Sequence, residues 1–288
     1  MTRLFHVSDL HFGAEDKAAL AWFKACVEAE KPEAVAITGD LTMRARTREF
    51  SAACAWIQSL GAPVTVEVGN HDLPYFNLIA RFFFPYRRIR GIERLVEREI
   101  DLPGVSIVPL KTTARAQWRL NWSRGWVTGK ALRTTLDAIE ALPDRQTILV
   151  TAHHPLVEAG TRGQALTRGG ENALAVLAKA GVAAVLTGHV HDAFDLMKQT
   201  AYGPIRMIGA GTLSMRVRST PPSFNQLTLA DGGLDVKVRN LEHVSTPDMQ
   251  IDAVPPNALP PEPGEPVAPV GEALQADKVL EQTNGRAG

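Results

Sequence analysis

Five short patterns in this chain carry side chains that bind cations. They are Asp9-Leu10-His11, Gly39-Asp40, Gly69-Asn70-His71-Asp72, His153-His154-Pro155 and Gly188-His189-Val190-His191. Imidazole, carboxylate and amide oxygen, with no thiolate among them, suit borderline or moderately hard divalent ions, and manganese, iron and zinc all remain open. Asp9 and His11, like His189 and His191, stand two apart, which in extended backbone turns both side chains to one face. Asp9, His11, Asp40, Asn70, His153, His189 and His191 are too many ligands for one tetrahedral ion. Two ions sharing a bridging carboxylate use them all.

Other reactive patterns are lacking. There is no G-x-S-x-G elbow and no P-loop lysine. Gly209-Ala210-Gly211 lacks the spacing and the helix of a dinucleotide loop. His6 alternates into a strand pattern and reads as a satisfied interior histidine or a support for the ligands, and His243 as a solvated one. Cys26 and Cys54 sit among apolar residues at helical spacing and read as small buried hydrophobes, which excludes a disulfide framework.

The elements that must position the five patterns are short β-branched runs alternating with helices. Leu4 to Val7, Ala34 to Thr38, Val64 to Val68, Thr147 to Ala152 and Ala183 to Thr187 read as buried strands, and each runs into one of the patterns. Leu20, Phe23 and Val27 mark one helical face, Phe50, Cys54 and Ile57 another, and Gly129 to Leu142 and Gly170 to Ala180 supply two more helices. After Gly188 the pattern changes to short strands, Ala193 to Lys198, Ile205 to Gly209, Gln226 to Leu229 and Leu234 to Val238, expected as a late antiparallel part. In open α/β sheets, ligands gather beyond the carboxyl ends of the strands, where loops converge on one crevice. The five patterns therefore meet in one place.

The chain has 288 residues, 45% of them hydrophobic and 22% charged, an ordinary globular composition. No apolar run reaches the roughly 18 residues of a spanning helix, and the start shows no apolar leader, so a cytoplasmic protein is expected. From Thr246 to Gly288 seven acidic residues face two basic ones and eight of the 19 prolines accumulate, without an aromatic residue. That segment, residues 246–288, is expected to be a largely disordered or extended Pro-rich acidic tail, with a short helix near Gly271 to Gln282, and residues 1–245 to be the catalytic domain. Residues 1–245 carry a net charge of +5, enough to attract an anionic substrate mildly but far from the basic stripe of a nucleic-acid binder. No nucleic acid polymer is expected as partner.

The order D-x-H, G-D, G-N-H-D, H-H-P and G-H-x-H resembles the calcineurin-like metallophosphoesterases over roughly residues 2–241. The resemblance implies an α/β fold of two mixed β-sheets packed as a sandwich and flanked by helices. It gives Asp9, His11 and His191 to one metal, Asn70, His153 and His189 to the other, and makes Asp40 the bridge. His71 is left to face the phosphate, and His153 is preferred to His154 because the family ligand lies two before the proline. His154 and Asp72 are expected to orient the ligands. Two such ions acidify a bridging water and clamp the oxygens of an in-line displacement at phosphorus. His71 is expected to stabilise a phosphoryl oxygen or to protonate the leaving alkoxide.

Several branches of the family fit poorly. Gly39-Asp40-Leu41-Thr42-Met43-Arg44 departs from the G-D-x-x-D-R-G of the protein phosphatases, the lipid-A-precursor hydrolases usually show arginine in place of His71, and the DNA-repair nucleases add a DNA-capping domain. What remains is similar to small bacterial phosphodiesterases of the class III cyclic-nucleotide type, although Leu156 stands where they often have a second proline. A small phosphodiester is the expected substrate, with a nucleotide pyrophosphatase or glycerophosphodiester hydrolase as alternatives and a non-catalytic interaction scaffold as the alternative of another class. Phe82 to Arg88 read as a packed helix end under a solvated basic face, or else as a substrate wall, a protomer contact or a membrane-surface patch, and Trp118, Asn121, Trp122 and Trp126 as core or as a cap stacking on a base.

Overall fold

The computed structural model describes residues 1–74, 81, 83–88, 91, 100, 102–114, 123–143, 146–164, 167–230 and 232–242. The expected tail, the short helix within it, His243, Phe82, Trp118, Asn121 and Trp122 lie outside the described residues. No helix among the described residues is long and apolar enough to cross a membrane.

The first sheet is built from β1 (Thr2–Val7), β2 (Ala34–Ile37), β3 (Val64–Val66), β9 (Ser223–Ala230) and β10 (Gly233–Asn240), in the order β10-β9-β1-β2-β3. The second holds β4 (Val105–Pro109), β5 (Thr147–Thr151), β6 (Val182–Thr187), β7 (Phe194–Thr200) and β8 (Gly203–Gly209), in the order β4-β5-β6-β8-β7. Each is mixed: β1, β2 and β3 run parallel, as do β4, β5, β6 and β8, whereas β9, β10 and β7 pair antiparallel with their neighbours. The late part is thus not wholly antiparallel, because β8 returns parallel to β6. β4, which the sequence pattern does not announce, is a half-buried edge strand ending in Pro109, a residue an edge tolerates because it owes no amide hydrogen to an outer neighbour.

Strand alternation explains the layers. On β1 and β2, Leu4, Ala34 and Ala36 face a shared interior with Leu149, Ala184, Leu186, Ile208 and Leu227 of the second and first sheets. The intervening Phe5, Val7, Val35 and Ile37 turn outward, against α1 (Lys17–Glu30) and α2 (Thr47–Gln58). Val150, Val182, Val185 and Met207 likewise turn toward α3 (Gly129–Glu140) and α4 (Gly170–Lys179). The fold is therefore helix, sheet, sheet, helix, with alanines between the sheets that permit close approach. Strand residues covered on both faces read as continuous apolar runs, which is why β1, β2, β5 and β6 stand out in the sequence.

Candidate metal centre

Asp9 and His11 follow β1, Asp40 follows β2, Asn70 and His71 follow β3, His153 follows β5, and His189 and His191 follow β6. The two sheets bring these ends together: His153 Nδ1 donates to Thr38 O across 2.7 Å, and His189 N donates to Asp9 Oδ2 across 2.8 Å. The loops are not extended. Asp9, His11, Asp40, His189 and His191 have φ of 56°, 46°, 53°, 70° and 61°, in a left-handed region that non-glycine residues enter at a cost of order 1 to 3 kcal/mol. The extended geometry expected of Asp9-x-His11 and His189-x-His191 is therefore corrected, since the strands end before the ligands begin. Tight turns aim the side chains, and backbone bonds from Asp9 N to Gly39 O (3.0 Å) and from His11 N to Asp40 O (2.9 Å) hold the turns in place. Close approach also explains two glycines. A Cβ on Gly69 would run into the backbone nitrogen and carboxylate of Asp40, and one on Gly188 into the Ser8 side chain.

The tautomers define the centre. His191 Nδ1 lies 2.7 Å from Arg216 O, which can only accept, so Nδ1 carries a hydrogen and Nε2 is the nitrogen turned inward. Nε2 lies 3.0 Å from Asp9 Oδ1 and 3.1 Å from His11 Nε2. Asp9 Oδ1 is buried and has no hydrogen-bond donor among the described residues. His153 repeats the pattern: its Nδ1 is committed to Thr38 O, and its Nε2 meets Asn70 Oδ1 at 3.1 Å and Asp40 Oδ2 at 3.4 Å. Asp40 Oδ2 stands between the groups, 3.8 Å from His11 Nε2. Where no cation lies between them, the buried carboxylates of Asp40 and Asp9 draw a proton onto His153 and His191, and a divalent ion would take the place of that proton. The residues fit two divalent ions.

Charges in the centre respond to this crowding. For His153 burial opposes the charged form, but the Asp40 carboxylate outweighs it and pushes the imidazole up to about 9. Burial, then the neighbouring His153, takes His189 down to about 3. For Asp9 burial favours the protonated form, yet His191 and His11 hold the carboxyl well below the usual range. Asp9, His11, Asp40, His153 and His191 are buried, while Asn70, His71 and His189 are half-buried and form the open side.

His154 brings a ring nitrogen within 4.8 Å of ring nitrogens of His153 and His189, but both of its own nitrogens are engaged elsewhere. Its Nδ1 is bound to Thr112 Oγ1 at 2.9 Å and its Nε2 to Ser123 O at 2.8 Å, so the ring packs behind the centre, 4.5 Å from His189 and 4.7 Å from His153 between ring centroids. Asp72 is a clamp. Its carboxylate accepts from Leu41 N (3.2 Å), Thr42 N (2.9 Å), Thr42 Oγ1 (3.0 Å) and Gly69 N (3.0 Å), locking the Asp40 loop to the Asn70 loop. Removing it strands three backbone donors, while Thr42 Oγ1 keeps His71 O at 3.2 Å, and one buried unsatisfied group costs about 1 to 3 kcal/mol. Asp72→Ala is expected to lower the melting temperature by about 5 °C or more, read by differential scanning calorimetry.

His6 is an interior histidine, bound to Thr38 Oγ1 at 3.0 Å and Asn225 Nδ2 at 3.3 Å and taken down to about 3 by burial. Phe83 and Phe84 are exposed, Tyr86 donates to Thr113 O at 3.1 Å, and Arg88 donates to Ala45 O. Trp126 pairs with Arg168, whose guanidinium lies 4.9 Å above its ring. Sequence reasoning missed Arg216. Its Nη1 lies 3.2 Å from His71 Nε2 and 3.3 Å from His11 Nε2, on a loop whose sequence carries no ligand spacing.

The model of the calcineurin-like phosphoesterases matches residues 2–193. The chain belongs to that family. No curated protein sequence matches it. Among solved structures, this phosphoesterase is similar to a dimetal phosphatase of Danio rerio, with a TM-score of 0.62 at 14% identity, covering 83% of this chain and 96% of that one. A purple acid phosphatase from yellow lupin (Lupinus luteus) seeds gives 0.59 at 13% identity over 83% of this chain and 51% of that one. The anchor in the inner membrane complex of Plasmodium gives 0.55 at 13% identity over 83% and 84%. At these identities the likeness is one of fold. Family membership and the paired His/Asp clusters together point to a dinuclear divalent-metal site in a phosphoester hydrolase.

Proposed function

We propose that this phosphoesterase hydrolyses a small phosphodiester, in the manner of the class III cyclic-nucleotide phosphodiesterases it resembles, with Asp9, His11 and His191 on one ion, Asn70, His153 and His189 on the other, and Asp40 bridging. The observation that carries this reading is the pair of His/Asp clusters meeting at Asp40 Oδ2, open on the side of Asn70 and His71. When bound, the ions supply an acidified water as nucleophile and positive charge for the phosphoryl oxygens. The chain supplies the rest. Thr38 O and Arg216 O fix the tautomers of His153 and His191. Met43 O, 2.8 Å from His71 Nδ1, fixes His71 with Nε2 turned toward His11 and Arg216. Nε2 is then the nitrogen that would face a leaving oxygen, to donate a proton to it or to stabilise its charge.

Substrate class is tested by turnover of a bis-aryl phosphodiester, an aryl monoester, a cyclic nucleotide, a glycerophosphodiester and a nucleoside diphosphate sugar on manganese-loaded protein. The diesters are expected to exceed the monoester about tenfold or more in kcat/KM, and preference for the monoester contradicts the proposal. Absence of turnover across the panel by protein holding two ions supports the interaction scaffold instead, a class the complete set of candidate ligands argues against. His71→Ala is expected to keep both metals and to slow alkoxide leaving groups about ten- to a hundredfold more than aryl ones. Equal losses assign His71 to charge stabilisation on the phosphoryl oxygen, and loss of a metal makes it a ligand.

A further inference from the structure

We propose that Arg216 binds the departing phosphate of a phosphoanhydride, so that the preferred diester is one whose scissile bond joins two phosphates. This rests on the reading of the centre as a dinuclear phosphodiesterase and narrows its leaving group. Arg216 lies on the loop between β8 and β9, and the loop is built rather than slack. Met215 N donates to Ala14 O (3.0 Å), Thr212 Oγ1 to Asp9 O (2.6 Å) and Ser219 N to Asp192 Oδ1 (2.9 Å), and Arg216 O accepts from His191 Nδ1 (2.7 Å). Its backbone thus orients a candidate ligand while its side chain crosses the opening to His71 and His11.

The chemistry of the contact is specific. Met43 O holds His71 Nδ1 at 2.8 Å and so turns Nε2 toward Arg216 Nη1, 3.2 Å away. At the end of the site where His71 faces the leaving group, the guanidinium is therefore a fixed donor beside it. It is half-buried, and among the described residues no carboxylate forms an ion pair with it. A reacting diester phosphorus has two non-bridging oxygens and a single negative charge, which two divalent ions already serve. A further fixed cation beside the leaving group gains most when that group itself is an anion, and guanidinium matches phosphate in geometry and charge. In the step, the oxygen of water bonds to one phosphorus and the bond from that phosphorus to the bridging oxygen breaks. Its electron pair stays on the departing phosphate, which Arg216 holds, and the protons of water pass to solvent or product.

The test uses manganese-loaded full-length protein and two probes, imidodiphosphate, which resists hydrolysis, and inorganic phosphate, with dissociation constants measured by titration calorimetry beside metal content. Arg216→Gln is expected to keep two metals, to weaken imidodiphosphate about ten- to a hundredfold and to change phosphate less than about threefold. Arg216→Lys is expected to recover most of the loss. In turnover, Arg216→Gln should lower kcat/KM for a nucleoside diphosphate sugar far more than for bis(p-nitrophenyl) phosphate. Equal weakening of both probes, no weakening, or loss of a metal in the variant overturns the proposal. Wild-type protein that binds imidodiphosphate no tighter than phosphate overturns it while leaving the dinuclear reading intact, and binding of neither probe overturns both.

Discussion

Asp40→Asn is expected to lose at least one of two bound divalent ions and to lower kcat by about a thousandfold, beyond the roughly 10- to 100-fold that follows loss of a partner behind a ligand. The substitution keeps the shape of the side chain and removes the charge. In the structure Asp40 Oδ2 lies within 4 Å of both His153 Nε2 and His11 Nε2, while Oδ1 accepts from His71 N at 2.8 Å. Burial alone would favour the protonated acid, yet His153 and the other histidines hold the carboxyl far below the usual range. Its charge is therefore part of the design of the centre. Metal content by inductively coupled plasma spectrometry, together with steady-state kinetics, checks the expectation. Full occupancy with wild-type turnover contradicts the bridging assignment.

Gly69→Ala is expected to damage both stability and activity, although it adds one methyl group and replaces no candidate ligand. That methyl would fall on the backbone nitrogen and Cα of Asp40, which cannot rotate away as a flexible side chain does. Relief requires moving either the Asp40 loop or the Asn70 loop, and Asp72 ties the two together through Gly69 N, Leu41 N and Thr42 N. Overpacking of this kind costs about 1 to 3 kcal/mol, which for a chain of this size lowers the melting temperature by about 2 to 10 °C. Displacement of about 1 Å at the bridging carboxylate is expected to cost about a hundredfold in kcat. Gly61→Ala serves as the control, since a Cβ there meets nothing within 4 Å, though its φ of 69° carries a backbone cost of its own. Activity retained in Gly69→Ala, with an unchanged melting temperature, contradicts the role given to this contact.

Much of the architecture is legible in the sequence because buried strands of a two-sheet core are apolar on both faces. Val35, Ala36 and Ile37 are all buried, so that strand reads as an unbroken run. β4 escapes notice because it is an edge strand with exposed or half-buried positions at Ser106, Ile107 and Pro109, and its pattern matches neither alternation nor a continuous run. The return of β8 alongside β6 is invisible for another reason: strand pairing over such separations depends on the crossover path, not on the strand's own residues. In the site, types and order of side chains are legible because cation ligands differ chemically from loop residues that merely turn. How they are aimed is not. The spacing of Asp9 and His11 suggests extended backbone, whereas a left-handed turn at each residue directs the side chains, and only the neighbouring Gly39 and Asp40 carbonyls reveal it. Arg216 carries no signal at all, since one arginine in Met215-Arg216-Val217-Arg218 looks like a solvated loop residue until the fold places it against His71.

The central claim is that the phosphoesterase works through two divalent ions held by the clusters that share Asp40. It is tested most directly by titrating manganese into chelator-stripped protein while following metal stoichiometry and hydrolysis of bis(p-nitrophenyl) phosphate in the same samples. The account predicts about two ions bound per chain at saturation, activity absent from the stripped protein, and turnover that rises only as the second ion binds. Full activity in the stripped protein, or a plateau at one ion with full turnover, contradicts it.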